Sequence, residues 1–236
     1  MRFVAYPCGS GRPAPSVFLG VNLDESRPTL FPLFLKLAGR SVLLVGGGEV
    51  ATGKARALAG AGADVTIVSP QLTPGLAALA AARAWRVEPR TFEDADLDGA
   101  WLAVAAAPPP VNHEVARAGE RRRVFVLAVD HPAAASAYAG GVVRRGGVTL
   151  AVSTGGEAPA LAGLLREGLD ALLPPDLGAW VNEASRARPA WKAAGIPLAA
   201  RRPLLLAALN ALYAKEEEDE DDDAAAADVE AGASHG

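Results

Sequence analysis

The sequence predicts an α/β fold: a parallel sheet flanked by helices, followed by a small β-hairpin region and a helical C-terminal part. Three observations carry that prediction. The apolar run Ser41-Val42-Leu43-Leu44-Val45 opens into Gly46-Gly47-Gly48 and then into the helix-forming Lys54-Ala55-Arg56-Ala57-Leu58-Ala59, which reads as strand, tight turn, helix. The stretch Trp101-Leu102-Ala103-Val104-Ala105-Ala106 shows no apolar–polar alternation, as expected of a strand in a parallel sheet covered on both faces. From Gly141 to Val152 the pattern changes to two strands around Gly146-Gly147, a hairpin that does not continue a parallel βαβ series. A parallel sheet with a glycine turn after its first strand is Rossmann-like.

The glycine spacing is G-x-G-x-x-A from Gly46 through Gly48 to Ala51. It lets backbone N–H groups at a helix N-terminus approach a pyrophosphate, while Ala51 keeps helix and strand in contact. The candidate cofactor contacts here are Gly46, Gly47, Gly48, Glu49 and Val50. A second motif overlaps the first. Gly48-Glu49-Val50-Ala51-Thr52-Gly53-Lys54-Ala55 fits the phosphate loop G-x-x-x-x-G-K-[ST] except at its last position, where Ala55 replaces the Mg²⁺-binding hydroxyl. The dinucleotide spacing is complete and the phosphate-loop spacing is not, so a dinucleotide site is favoured. An ATPase, and a turn that uses glycine only to bend, stay as alternatives.

Taken in order, residues 1–27 are rich in Pro, Gly and Ser without a sustained period and read as a disordered extension. Phe31-Pro32-Leu33-Phe34-Leu35-Lys36-Leu37 leads through Gly39-Arg40 into the first strand. The first helix, over 50–61, ends at Gly62, a C-terminal cap, and Asp64-Val65-Thr66-Ile67-Val68-Ser69 forms a β-branched second strand. At its end, where an Asp or Glu usually binds the adenine ribose, stand Ser69-Pro70-Gln71. A hydroxyl and an amide can bond a ribose, and no Arg is near in sequence to pair a 2′-phosphate, so NAD is expected over NADP.

A helix over 75–83, a short strand over 85–88 and the acidic turn Glu93-Asp94-Ala95-Asp96 precede the strand at 101–106. Pro108-Pro109-Pro110 stiffens the loop into a helix over 111–122, near whose start Asn112 is either a ligand contact or a cap. The next strand, 124–129, ends in Asp130. Strand C-termini form the ligand crevice of an open α/β sheet, so Asp130 is the candidate catalytic proton acceptor or donor. An ordinary turn at Asp130-His131-Pro132 and the Mg²⁺-associated acid of a phosphate-loop NTPase compete with that reading. His131, beside that candidate group, is either an aid to metal delivery or, the reading preferred, a solvent-facing turn residue, and neither His113 nor His235 is given a role.

After the hairpin, Ser153-Thr154-Gly155-Gly156 offers hydroxyls and glycine N–H groups ahead of an amphipathic helix over 160–173. That is a candidate anion site, which capping explains equally well. The segments 177–188 and 198–215 read as further helices. The expected organisation is an extension (1–27), a nucleotide-binding domain (28–137), a hairpin region (138–174), a helical domain (175–215) and an acidic disordered tail (216–236).

The apolar fraction of 50% is ample for a buried core. Cys8 is the only cysteine, which excludes an intrachain disulfide and a cysteine-based zinc cluster, and makes a reducing, cytoplasmic setting the default. No apolar run reaches membrane-spanning length, and no nucleic-acid motif is present. The net charge of −4 conceals an asymmetry: residues 216–236 hold ten acids and no Lys or Arg, which leaves 17 acids against 23 bases in the rest of the chain. A body of about +6 suits an anionic ligand.

Together, Gly46-Gly47-Gly48-Glu49-Val50-Ala51 with Lys54, the strand ending at Asp130, and Val152-Ser153-Thr154-Gly155-Gly156 before Pro159-Ala160-Leu161 resemble the siroheme synthase N-terminal family. Members are precorrin-2 dehydrogenases, often also sirohydrochlorin ferrochelatases. The resemblance spans about 31–173 and turns the phosphate-loop question against ATP. It implies a Rossmann domain, a dimerisation region, a helical domain and a homodimer. It further implies NAD-dependent oxidation of precorrin-2 to sirohydrochlorin, with Asp130 at the position tied to oxidation and to Fe²⁺ insertion. Ser153, Thr154, Gly155 and Gly156 become candidate contacts to the polycarboxylate tetrapyrrole, Fe²⁺ a possible substrate metal, and no resident metal is expected.

Two departures from the family stand out: Ala107-Pro108-Pro109-Pro110 on the nicotinamide side, where relatives carry polar or acidic residues, and Ala139-Gly140-Gly141 before the hairpin. The chain stops short of the methyltransferase domain of fused siroheme synthases, so a separate uroporphyrinogen methyltransferase is expected to supply the substrate. The alternatives are a dehydrogenase served by a separate chelatase, and an NAD-binding sensor that needs the glycine loop but not Asp130.

Overall fold

The computed structural model describes residues 30–129 and 131–212. The extension at 1–27, Asp130, and the acidic tail with His235 lie outside the described residues. Residues 30–36 carry no regular secondary structure and fall outside the compact unit that begins at Leu37.

From Leu37 onward the chain builds β1 (Ser41–Val45), α1 (Glu49–Gly60), β2 (Asp64–Val68), α2 (Pro74–Ala82), β3 (Arg86–Glu88), β4 (Leu102–Ala105), α3 (Pro109–Arg122) and β5 (Phe125–Ala128). A hairpin, β6 (Gly141–Arg145) and β7 (Val148–Val152), is followed by α4 (Pro159–Leu172) and α5 (Leu177–Ala193). Residues 198–212 are again helical. The five-stranded sheet is parallel throughout, in the order β3-β2-β1-β4-β5. Its strand order reverses between β1 and β4, which opens a crevice at the C-terminal edge.

Register explains the unalternating strands. Val42 and Leu44 pair with Val65 and Ile67 on one side and Leu102 and Val104 on the other, and this face packs on Ala51, Ala55 and Leu58 of α1 and Leu76 and Ala80 of α2. Leu43, Val45, Ala103, Ala105 and Val126 fill the opposite face with Val115 and Ala118 of α3. Each fully buried Val or Leu contributes about 1.5–3 kcal/mol. The helix after β4 starts at Pro109, two residues before the start expected from sequence. Its prolines occupy the first turn, where the missing N–H costs nothing, rather than a loop.

The connection from β3 to β4 carries only a 3-10 turn, Asp94–Leu97, pinned by ion pairs. Arg90 donates to both carboxylate oxygens of Asp96 at 2.6 and 2.9 Å, and the Glu93 N–H donates to the same group at 2.8 Å. Arg121 and Arg122, in the last turn of α3, reach Asp94 and Asp98. Burial opposes the charge on Asp96, but the bonds from Arg90 and Glu93 outweigh it and hold its carboxyl below the usual 3.8. The stabilisation is therefore complete at neutral pH and is lost as pH falls from about 3.8 through the lower folded value. Asp96→Asn should remove about 1–2 kcal/mol at pH 7. Urea unfolding at pH 7 and pH 3 checks this: the gap between variant and parent should shrink at the lower pH.

Beyond β5 the chain folds back along the sheet edge. Ser136 Oγ accepts from the Val126 N–H at 2.8 Å, while the Ser136 and Ala137 N–H groups donate to Val126 O. The edge strand is thereby covered. The hairpin is antiparallel and packs on α4, where Arg145 of β6 pairs with Asp170 at 2.8 Å and donates to Leu173 O. Among the described residues no helix is long and apolar enough to cross a membrane.

Candidate functional site

The three glycines after β1 do different work. Gly46 has φ +120°, a conformation L side chains rarely adopt, and a Cβ there would lie 2.2 Å from Ala106 O. A Cβ on Gly47 would lie 1.8 Å from Gln71 O and 2.7 Å from Ser69 Oγ. Both positions are closed by neighbouring backbone. At Gly48, the N-cap of α1, a Cβ would meet nothing within 4 Å, and no side chain caps the helix. The first-turn N–H groups of α1, including those of Glu49 and Val50, have no acceptor within the helix. The result is an open helix N-terminus behind a tight turn, which fits the pyrophosphate of a dinucleotide.

A latch that sequence reading missed holds this turn. Thr52, in α1 and 1% exposed, donates to Gly48 O at 2.9 Å and shares a 2.8 Å hydrogen bond with Thr73 Oγ1. Thr73 is the N-cap of α2, accepts from the Leu76 N–H, and donates its own N–H to Gly47 O at 2.8 Å. The Thr-Pro pair before α2 signals a cap, but nothing local signals the reach across to Thr52.

The Ser69-Pro70-Gln71 stretch lies against this turn. Ser69 is buried and its hydroxyl donates to Gln71 O at 2.7 Å, whereas Pro70 and Gln71 are exposed. The Gln71 side chain is the polar group free to meet a ribose there, since the Ser69 hydroxyl is engaged.

Next to the glycine turn, where the β4 and β5 ends meet α1, lies a cleft of about 120 Å³ lined by Val50, Ala106, Ala107, Pro109, Asn112, Val129 and His131. Asn112 is 3% exposed and braces it: Oδ1 accepts from the Ala107 N–H at 3.0 Å and Nδ2 donates to Val129 O at 3.3 Å. That bridge fixes the exit of β4 against the end of β5. Asn112 thus borders the cleft with its amide engaged on both sides.

His131 is not the solvent-facing turn residue expected from sequence. It is half-buried, lines the cleft, and packs edge-on against His113 of α3, with ring centroids 4.0 Å apart at 68°. Its neighbour Asp130, the candidate catalytic group, lies outside the described residues. Among the described residues no cluster of three or more His, Cys, Asp or Glu side chains is arranged to hold a metal ion.

The loop Ser153–Gly156 belongs to the hairpin and α4 and is not part of the cleft lining. It is folded by its own bonds: Ser153 Oγ accepts from the Gly155 N–H and Thr154 Oγ1 from the Ala158 N–H, both at 3.2 Å. Gly155 and Gly156 have φ of +66° and +82°.

A family model described as putative NAD(P)-binding matches residues 33–141, and one described as sirohaem biosynthesis protein central matches residues 145–172. Siroheme synthase 1 of Aeromonas salmonicida (strain A449) is 44% identical over 172 residues, 72% of this chain and 37% of that protein. The siroheme synthase of Citrobacter koseri is 42% identical over 158 residues, 66% of this chain and 35% of that protein. The chain thus spans a little over a third of the length of these curated relatives. Among solved structures, "SirC, precorrin-2 dehydrogenase" has the same fold, with a TM-score of 0.59 at 22% identity over 75% of this chain and 88% of that one.

Proposed function

We propose that this chain, like the siroheme synthases it resembles, is a member of their N-terminal family and oxidises precorrin-2 to sirohydrochlorin with NAD⁺. The observation that carries the reading is the open N-terminus of α1 over Gly48, set between a glycine turn closed by backbone and an apolar cleft at the switch point of the sheet. Gly46, Gly47, Gly48 and the N–H groups of Glu49 and Val50 hold the pyrophosphate. Ser69, Pro70 and Gln71 bound the adenosine side, with Gln71 the bonding group, and Asn112 shapes the cleft wall. When bound, the nicotinamide supplies a two-electron hydride acceptor. Asp130 takes the proton that the macrocycle gives up, as a carboxylate at a strand end can do. Ser153, Thr154, Gly155 and Gly156 contact the substrate's carboxylates.

The same carboxylate at Asp130 is suited to receiving pyrrole protons during Fe²⁺ insertion, with the metal as substrate. Anaerobic absorbance spectroscopy with precorrin-2 separates the activities. A sirohydrochlorin spectrum that appears only with NAD⁺ supports the dehydrogenase, and its absence in folded protein overturns it. A further protein-dependent shift on adding Fe²⁺ or Co²⁺ adds the chelatase; no shift leaves a dehydrogenase alone.

The functional unit in this reading is a homodimer. Leu161, Leu164, Leu165 and Leu172 of α4 are 46–76% exposed at helical spacing beside a hairpin that is not stable by itself in water. Sedimentation of Leu164→Asp checks this, with a shift to monomer expected.

A further inference from the structure

We propose that His131 is the hydrogen-bonding group that receives and orients the carboxamide of the nicotinamide ring, held in place by His113. The inference rests on the dinucleotide reading above and assigns one residue to one part of that ligand.

Of the residues lining the cleft beside the glycine turn, Val50, Ala106, Ala107, Pro109 and Val129 are apolar. The amide of Asn112 is engaged by Ala107 N–H and Val129 O. His131 is the one lining side chain with a polar group still uncommitted, and its Nδ1 is buried without a hydrogen-bond partner. A buried polar atom with no partner costs about 1–3 kcal/mol, so such an atom beside a cleft marks where a ligand group belongs.

The α3 N-terminus offers little to that part, since the Asn112 N–H is already given to Pro108 O. Pro109 and Pro110 occupy its first two positions and carry no N–H. The wall the cleft offers is therefore apolar with one imidazole, which fits a flat aromatic ring bearing one polar substituent. A nicotinamide is such a group: its ring packs on the apolar side chains, and its carboxamide both donates and accepts, so it satisfies an imidazole nitrogen in either protonation state. Nδ1 is covered here, so this role requires the His131 ring to turn about χ2, pivoting on its contact with His113, to bring Nδ1 to the carboxamide. The edge-on contact with His113 fixes where that ring stands, and His113 is in this sense a positioning residue.

The test compares two probes that differ only in the nicotinamide. Calorimetric titration with NAD⁺ and with ADP-ribose should show His131→Ala losing about tenfold in NAD⁺ affinity, the value of one hydrogen bond, with ADP-ribose affinity within twofold of the parent. His131→Asn, whose amide stands where Nδ1 does, should recover most of the loss. Thermal melting of each variant confirms that it is folded. Equal weakening of NAD⁺ and ADP-ribose, or no weakening of either, overturns the role of His131 and leaves the dinucleotide site standing. Failure of the parent to bind either probe overturns both.

Discussion

Gly48→Val should yield a folded protein that has lost its dinucleotide. Gly48 has φ −83° and ψ −172°, an extended conformation open to any residue, and a Cβ there meets no protein atom within 4 Å. The cost to the fold is that of a poorer N-cap, about 1 kcal/mol. The added side chain instead fills the space over the first turn of α1, where the pyrophosphate must approach the backbone N–H groups. A loss of about 100-fold or more in NAD⁺ affinity follows, since both close approach and helix-terminus bonds are forfeited. Gly47→Ala is the contrasting case, in which the fold itself is strained. Its Cβ would sit 1.8 Å from Gln71 O, so the β2–α2 loop must move, at about 3 kcal/mol. For a chain of this size that is a fall of roughly 6–12 °C in melting temperature. Unchanged NAD⁺ binding by Gly48→Val would place the cofactor somewhere other than the α1 N-terminus.

Asp130→Asn should abolish most turnover while leaving cofactor binding intact. The side chains are nearly isosteric, but the amide cannot take a proton. A general base contributes about 10²- to 10⁴-fold, and kcat for precorrin-2 oxidation should fall by that factor. NAD⁺ affinity should stay within about twofold, because the pyrophosphate contacts proposed above are made by the glycine turn and not by Asp130. Single-turnover absorbance measurements separate the proton step from product release. Retained turnover in the variant would remove Asp130 from the mechanism, whereas a protein that only senses NAD would be indifferent to the change in every respect.

The two substitutions also mark what could be read before the fold was known. Strand, turn and helix over 41–60 were legible because each is dictated by neighbours in sequence: a branched apolar run, glycines, then a helical period. The same holds for the β2 and β4 strands, the hairpin around Gly146-Gly147, and the helices after it. The order of elements identified the fold class, since a glycine turn following the first strand of a βαβ unit has few other uses. The sequence names Asp130 as the residue following a strand, and it lies outside the described residues.

What only the tertiary structure decided are pairings across long stretches of chain. The need for glycine at Gly46 and Gly47 comes from Ala106 O and Gln71 O, whereas at Gly48 the fold leaves room for a Cβ. Thr52 and Thr73, 21 residues apart, join into one latch, and Asn112 ties together two strand ends, one of them 17 residues away. His113 was set aside and His131 read as surface, because nothing in a helical position or a turn says that two rings will meet at 4.0 Å. Sequence alone determined which elements form, since hydrophobic period and backbone freedom act locally. Only the packed sheet determined which polar groups are used up in holding it together and which are left for a ligand, since each hydrogen bond that decides this closes across the fold.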